Sequence, residues 1–326
     1  MYFDKGMNKA EDADKEILNC KNQKDVLVEI LVLTYNHENY IRQALDSVLM
    51  QQTEYSYKII VGVDCSTDNT KQIVIDYYKK YPDRIEVLLW KERVGAVMND
   101  IGIISRCKAK YVAYLEGDDY WTTPYKLQKQ VSFLEKNPNY IGTAHNVRCV
   151  DEKGIMLHRD FNFYPIVDEH VYGRAQAVKL TKVSQTASLV YKNVYKQWDK
   201  TQWDFYRECN VNGDEVLQVF LGMQGPVYFF RDIMADHRRV FHGESWTAGS
   251  AGKNMLIYHY QSRKKMQWYL QKYYNVSFEN DDFLKSLWEE SKKILLCNFN
   301  KQNLKVCCRL LLEKRLGNGN GCGKHF

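Results

Sequence analysis

Three short stretches carry side chains that could do chemistry: Thr34-Tyr35-Asn36-His37, Asp64-Cys65-Ser66-Thr67-Asp68 and Glu116-Gly117-Asp118-Asp119. Three carboxylates within four residues repel one another, and at the end of a buried element that repulsion is costly unless a cation is present. Hard carboxylate oxygens suit Mg²⁺ or Mn²⁺, which keep open positions for substrate phosphates. On the residues alone, a solvated acidic turn that caps the next helix is equally open. Ser66 and Asp68 suit a helix cap. Asp64 stands directly at a strand end, where a base or ribose hydroxyl would need an acceptor. Further along, His237, Arg238, Arg239 and His242 form a cationic group suited to a diphosphate, since Arg pairs with phosphate oxygens and neutral His ligates metals. A solvated basic loop is the alternative. His145 and Asn146 follow a later apolar run and either face a substrate or sit in the core.

The elements that must position these residues alternate. Residues 26–34 are Val/Ile/Leu-rich on both faces, as in a buried parallel strand, with Glu29 as the one charge. In 38–50, Ile41, Ala44, Leu45, Val48 and Leu49 fall on one helical face. Strands at 57–63, 85–90 and 111–115 and helices from Ser66 to Tyr78, at 96–106 and at 124–136 continue the rhythm, the last opening on Pro124. Strand, helix, strand, helix predicts an α/β fold with a doubly wound sheet, mostly parallel and Rossmann-like, whose ligands bind at the carboxyl ends of the strands. All three acidic or polar stretches follow such strands. The rhythm weakens between 140 and 212, with strand-like pieces at 140–147 and 187–191. A short helix from Asp214, a strand at 227–230 and a loop at 234–250 come next, and helices at 253–274, 281–297 and 302–314 close the chain.

The 326 residues are 45% hydrophobic and 26% charged, which excludes collagen-like and disordered readings. The most apolar run is too short to cross a bilayer. Residues 1–25 are polar, with Asp4, Glu11, Asp12, Asp14 and Glu16 where a secretory signal would need an apolar core, so a cytoplasmic protein is expected. Nine scattered cysteines without a CxxC pair read as reduced thiols. The net charge of +6 is concentrated at one end, because Gln261–Phe326 holds 13 Lys/Arg against 6 Asp/Glu. Arg263, Lys264 and Lys265 beside Trp268, Tyr269, Tyr273 and Tyr274 could lie on the inner face of an anionic membrane. A solvated helical cap is as good a reading. No nucleic-acid-binding module accompanies the charge.

The segments ILVLTYNHENYIRQALDSVLMQQ (30–52), VGVDCSTDNT (61–70) and KAKYVAYLEGDDYWTTPYKLQKQVSFLEKNP (108–138) together resemble the family 2 glycosyltransferases of GT-A fold, which use nucleotide sugars to build surface polysaccharides. VNGDEVLQVFLGMQGPVYFFRDIMADHRRVFHGESW (211–246) resembles that family's downstream segment. The resemblance implies a nucleotide-sugar donor, a glycan or lipid-linked acceptor, Mn²⁺ or Mg²⁺ as cofactor, and an inverting transfer with Asp214 as catalytic base. It further implies nucleotide contacts from Thr34, Tyr35, Asn36, Asp64, Ser66, Asn99, Glu116 and Asp118, diphosphate contacts from Arg238, Arg239 and His242, and metal ligation by Asp118, Asp119 and His242. Glu215 is a rival base, or a first-turn acid favoured by the helix dipole. Residues 1–25 then form a polar extension, 26–250 the transferase domain and 251–326 a basic helical extension. The sequence departs from the family where Glu116-Gly117-Asp118 replaces the usual Asp-x-Asp and Val63-Asp64 replaces Asp-Asp. The competing readings are a sugar nucleotidyltransferase, which would need a Gly-rich basic loop where Thr34–His37 stands, and a non-enzymatic nucleotide-sugar binder.

Overall fold

Ile30 and Val32 turn to one side of a sheet and Leu31 to the other, and all three are fully buried, so this strand is covered on both faces as its unbroken apolar run requires. The computed structural model describes residues 14–22, 24–157, 167–180, 183–208, 213–240, 255–278 and 304. Its strands are β1 (Lys15–Leu18), β2 (Val28–Thr34), β3 (Tyr57–Val63), β4 (Ile85–Trp90), β5 (Tyr111–Glu116), β6 (Tyr120–Trp121), β7 (Gly142–Val150), β8 (His170–Tyr172), β9 (Val190–Lys192) and β10 (Val227–Arg238). The helices are α1 (Ile41–Leu49), α2 (Thr70–Lys80), α3 (Ala96–Ile104), α4 (Lys126–Lys136), α5 (Arg174–Val178), α6 (Lys200–Glu208), α7 (Gly213–Gln224) and α8 (Met255–Tyr274).

All ten strands join one sheet in the order β1-β4-β3-β2-β5-β9-β7-β10-β6, with β8 also on β10. The block β4-β3-β2-β5 is parallel and has the doubly wound order, reversing between β2 and β5. On one face α1, α2 and α4 bury Ile41, Leu45, Val74, Leu127 and Val131 against Ile30, Val32, Val61 and Leu115. On the other, Leu31, Ile60, Leu88 and Tyr114 meet α3 and an aromatic layer. There Tyr269 of α8 stacks on Phe205 of α6 at 4.1 Å and lies 5.0 Å from Phe220 of α7. Tyr269 is fully buried, so the inner face of α8 belongs to the core. Glu29 is held at the opposite end of β2 from the acidic stretches, by Lys58 at 3.0 Å and by the Ala109 N–H at 2.8 Å.

Two expectations change. Residues 15–18 fall in the stretch read as a polar extension, yet they pair antiparallel with β4, because an edge strand needs only one apolar face. The strand expected at 227–230 runs on to Arg238, so His237 and Arg238 are sheet residues rather than loop residues. The physical reason is partners distant in sequence: β7 is long enough to pair with β10 throughout, and β6 pairs with its far end. The strand-like piece expected at 187–191 forms β9, antiparallel between β5 and β7. The helices expected at 281–297 and 302–314 lie outside the described residues, apart from Leu304.

Candidate active site

The carboxyl ends of β2 and β5 flank the point where the strand order reverses, which in a doubly wound sheet is where a crevice opens. The loop after β2 is tied to the loop after β3. The Asn36 N–H donates to Ser66 Oγ (3.2 Å), Thr67 N–H donates to Asn36 Oδ1 (2.8 Å), and His37 N–H donates to Thr70 Oγ1 (2.7 Å). Asn36 and Cys65 both adopt left-handed backbone, at φ 51° and 46°. Arg93 lies over the Tyr35 ring at 3.9 Å. Asp64 is buried, and its two oxygens accept from the Val94 (2.7 Å) and Gly95 (2.9 Å) N–H groups, which hold the loop that opens α3. Burial raises its pKa against those hydrogen bonds.

After β5 the chain turns at Glu116-Gly117-Asp118-Asp119, with the Asp119 N–H returning to the Glu116 carbonyl (3.0 Å). A side chain on Gly117 would meet His37 Nδ1 at 2.7 Å and Thr34 Oγ1 at 2.8 Å, so the turn rests directly on the β2 loop. β6 then pairs Tyr120 with Asp236, which brings His237 and Arg238 onto the acidic turn. His237 Nδ1 is 3.1 Å from each Asp119 oxygen, and the Arg238 N–H donates to Asp119 Oδ1 (2.8 Å). Gln185 Nε2 donates to Asp119 Oδ2 (2.9 Å) and lies 3.5 Å from Glu116 Oε2. Asp118 keeps a partly exposed carboxylate, with His37 Nε2 at 3.9 Å.

The electrostatics follow from three acids around one imidazole. Burial, then Asp119 and Asp118, push the Glu116 carboxyl up to about 8. Burial likewise raises Asp119, opposed by His237. Burial works to lower His237, but Asp119, Asp118 and Glu116 outweigh it and hold the ring protonated up to about 9. The direction on His237 governs the pair, because three carboxylates face a single cation.

Several expected site residues have other partners. Asn99 is buried, accepting from Trp90 Nε1 (3.0 Å) and donating to the Gly62 carbonyl (2.9 Å). Both ends of its amide, expected on the nucleotide, are taken up between β3, β4 and α3. Arg238, expected on the diphosphate, is 4% exposed. It donates to the Asp118 carbonyl (2.9 Å) and Gln43 Oε1 (2.7 Å), between the Tyr40 and Tyr120 rings. Asp119, expected beside Asp118 as a ligand, has both oxygens engaged by protein donors. His145 is fully buried in the core, and Asn146 holds the Val167 and Arg231 carbonyls. Arg239 is half-buried at the end of β10, its N–H on the Val150 carbonyl (2.9 Å). Asp214 is the second residue of α7, and its side chain, like His242, lies outside the described residues. The sequence reading missed Gln185, Gln43 and Tyr40. The only trace of Gln185 was its place just before the apolar run that becomes β9.

The matches to known proteins bear on this arrangement. The family model described as "Glycosyl transferase family 2" matches residues 29–198, just over half of the chain and the whole stretch from β2 through β9. The chain belongs to glycosyl transferase family 2. An uncharacterized protein of Mycobacterium tuberculosis is 32% identical over 216 residues, covering 66% of this chain and 60% of that protein. The chain therefore spans about three fifths of that relative's length. TuaG of Bacillus subtilis, named for teichuronic acid biosynthesis, is 33% identical over 126 residues, 38% of this chain and 49% of TuaG. Among solved structures, S. aureus TarS 1–349 in complex with UDP-GlcNAc has a TM-score of 0.60 at 15% identity, covering 87% of this chain and 79% of that one, a likeness of fold.

Whether this family 2 site suits a divalent cation can be judged from its own atoms. Among the described residues, no three His, Cys, Asp or Glu side chains stand together in ligating geometry. Mg²⁺-type sites, however, use one or two carboxylates and complete their shell from substrate phosphates and water. Asp118 offers one such carboxylate. Around it Thr34 Oγ1, His37 Nδ1 and Arg238 Nε are buried without a hydrogen-bond partner, the condition of a polar cradle that accepts a ligand. The residues fit a cation bound together with a nucleoside diphosphate.

Proposed function

We propose that this protein transfers a sugar from a nucleotide-sugar donor to a glycan or lipid-linked acceptor in surface polysaccharide synthesis, with inversion and with Mn²⁺ or Mg²⁺ held through Asp118. The observation that carries the reading is the position of Asp118, partly exposed at the reversal of strand order between β2 and β5, with the unpartnered Thr34 Oγ1 and His37 Nδ1 against the adjoining Gly117. The name of TuaG and the UDP-GlcNAc bound to TarS support the donor and polymer classes.

When bound, the cation supplies charge stabilisation for the diphosphate leaving group. Thr34, Tyr35, Asn36, Asp64, Ser66 and Glu116 shape the nucleotide end, with Tyr35 and Arg93 as a stacking surface for the base. Asp119 braces Asp118 through the turn, Arg238 fixes the turn to α1, and Arg239 and His242 are assigned to the diphosphate. Asp214 takes the proton of the acceptor hydroxyl as that oxygen bonds to the anomeric carbon and the bond to the diphosphate oxygen breaks.

Purified protein incubated with UDP-, GDP-, dTDP- and CMP-sugars tests this. Asp214→Asn is expected to abolish transfer and keep donor binding, whereas Asp118→Asn weakens metal-dependent donor binding. Equal loss of donor affinity in both variants would contradict the division of roles.

We also place the protein at the inner face of the membrane. No helix among the described residues is long and apolar enough to cross one. α8 exposes Trp268 and Tyr273, with Lys272 Nζ 4.6 and 5.0 Å from their rings, a face suited to anionic headgroups. Trp268→Ser with Lys272→Glu is expected to release the protein from anionic vesicles while leaving the buried Tyr269 face intact. Unchanged sedimentation with the vesicles would overturn this placement.

A further inference from the structure

One residue outside every expected site touches both ends of the acidic turn. Gln185 opens a 3-10 turn, Thr186–Ser188, that leads into β9. Its Oε1 accepts the Ala187 N–H at 2.5 Å, and Ser188 returns both its N–H (3.0 Å) and its hydroxyl (2.7 Å) to the Gln185 carbonyl. The orientation of the side-chain amide is therefore determined by chemistry. A backbone N–H can only donate, so the oxygen must face Ala187 and the NH₂ must face the carboxylates. There Nε2 donates to Asp119 Oδ2 at 2.9 Å and stands 3.5 Å from Glu116 Oε2. The same short turn holds the motif at one further point, where the Ala187 carbonyl accepts Trp121 Nε1 at 3.1 Å. Positions 116, 119 and 121 are thus met by Gln185 and Ala187 of one turn.

We infer that Gln185 is a positioning residue for donor binding, its amide fixing Asp119 and Glu116 so that Asp118 between them presents its carboxylate to the donor diphosphate and its cation. This rests on the transfer reading above. An amide suits the position because it supplies N–H donors to crowded carboxylates without adding charge, and because its second end is locked by its own turn. A carboxylate at 185 would keep the bond to Ala187 and place an acceptor against acceptors.

The test uses the full chain and nucleotide diphosphate binding with Mn²⁺, measured by titration calorimetry beside the thermal midpoint. Gln185→Glu is expected to fold, since its turn bond survives, and to bind the nucleotide about 10- to 100-fold more weakly, the range seen when a residue supporting a metal ligand is lost. Gln185→Met, which removes the donors without adding charge, is expected to weaken binding in the same direction, and serves if the Gln185→Glu variant does not fold. The decisive variant is the exchange of partners. When Gln185→Glu is combined with Asp119→Asn, the amide introduced at position 119 can donate to the carboxylate introduced at position 185 while its oxygen still accepts the Arg238 N–H, and nucleotide affinity is expected to recover relative to either single change. A structural role confined to the turn would give a silent Gln185→Glu, and a role for Asp119 as direct ligand would give a double variant worse than both. Either result overturns the inference while leaving nucleotide binding by the unaltered protein intact. Failure of the unaltered protein to bind any nucleotide would overturn the transfer reading and this inference together.

Discussion

Gly117 lies between Glu116 and Asp118 of the acidic turn and against Thr34 and His37, with no space for a methyl group. Gly117→Ala forces the turn away from the β2 loop and is expected to cost about 1–3 kcal/mol, the usual range for overpacking. Because the displaced turn carries Asp118, nucleotide affinity should fall with stability, and a titration of the variant checks both. The protonation of this cluster sets a pH dependence. Glu116, held near 8 against an ordinary 4.5, keeps in the folded state a proton that the unfolded chain loses, so stability declines as pH rises between those values. His237, held near 9 against an ordinary 6.5, contributes stability that is full below its unfolded value and lost as pH rises through 9. Both act in one direction. The thermal midpoint of the ligand-free protein should therefore fall from about pH 5 to pH 9, and Glu116→Gln should flatten the lower part of that decline. A midpoint that rises over this range would contradict the crowded-acid description. At this scale the sequence revealed the acids, whose spacing is local. It did not reveal Gln185, whose partners at Glu116 and Asp119 lie more than sixty residues away.

Asn99 shows how an element can claim a residue that a motif suggests for a ligand. It sits on α3, and its amide bridges β3 and β4 where Gly62 leaves room for it: a side chain at 62 would come within 2.3 Å of Asn99 Oδ1. Asn99→Leu leaves Trp90 Nε1 unpaired in the core and removes the side-chain bond to the Gly62 carbonyl, at an expected cost of about 1–3 kcal/mol for the unsatisfied indole N–H. Nucleotide affinity should be unchanged, which a titration at a temperature where the variant is folded would check. β10 shows the opposite case. Its polar end, Asp236-His237-Arg238, reads as loop because local composition there is charged. Those residues become strand because β7 pairs with all three and β6 with Asp236. The parallel strands were legible since each is buried on both faces and leaves an unbroken apolar run. Strands whose pairing depends on distant partners leave no such trace.

Across the whole molecule, the doubly wound order brings the ends of β2 and β5 side by side, and the mixed half of the sheet folds His237, Arg238 and Gln185 onto them. The first half follows from the strand–helix rhythm of residues 26–136, which carries most of the motif resemblance. The second half follows from tertiary pairing through β9 and β10, so the acids were legible and their braces were not. The measurement that bears most directly on the proposed function is nucleotide binding by the unaltered chain and by Asp118→Asn, each with Mn²⁺ and with a chelator, across UDP, GDP, dTDP and CMP. One nucleotide should bind the unaltered protein only with the cation, and Asp118→Asn should reduce that binding about 10-fold or more while the fold persists. Binding that is indifferent both to the chelator and to the loss of the Asp118 carboxylate would contradict a cation-assisted donor site at the junction of β2 and β5.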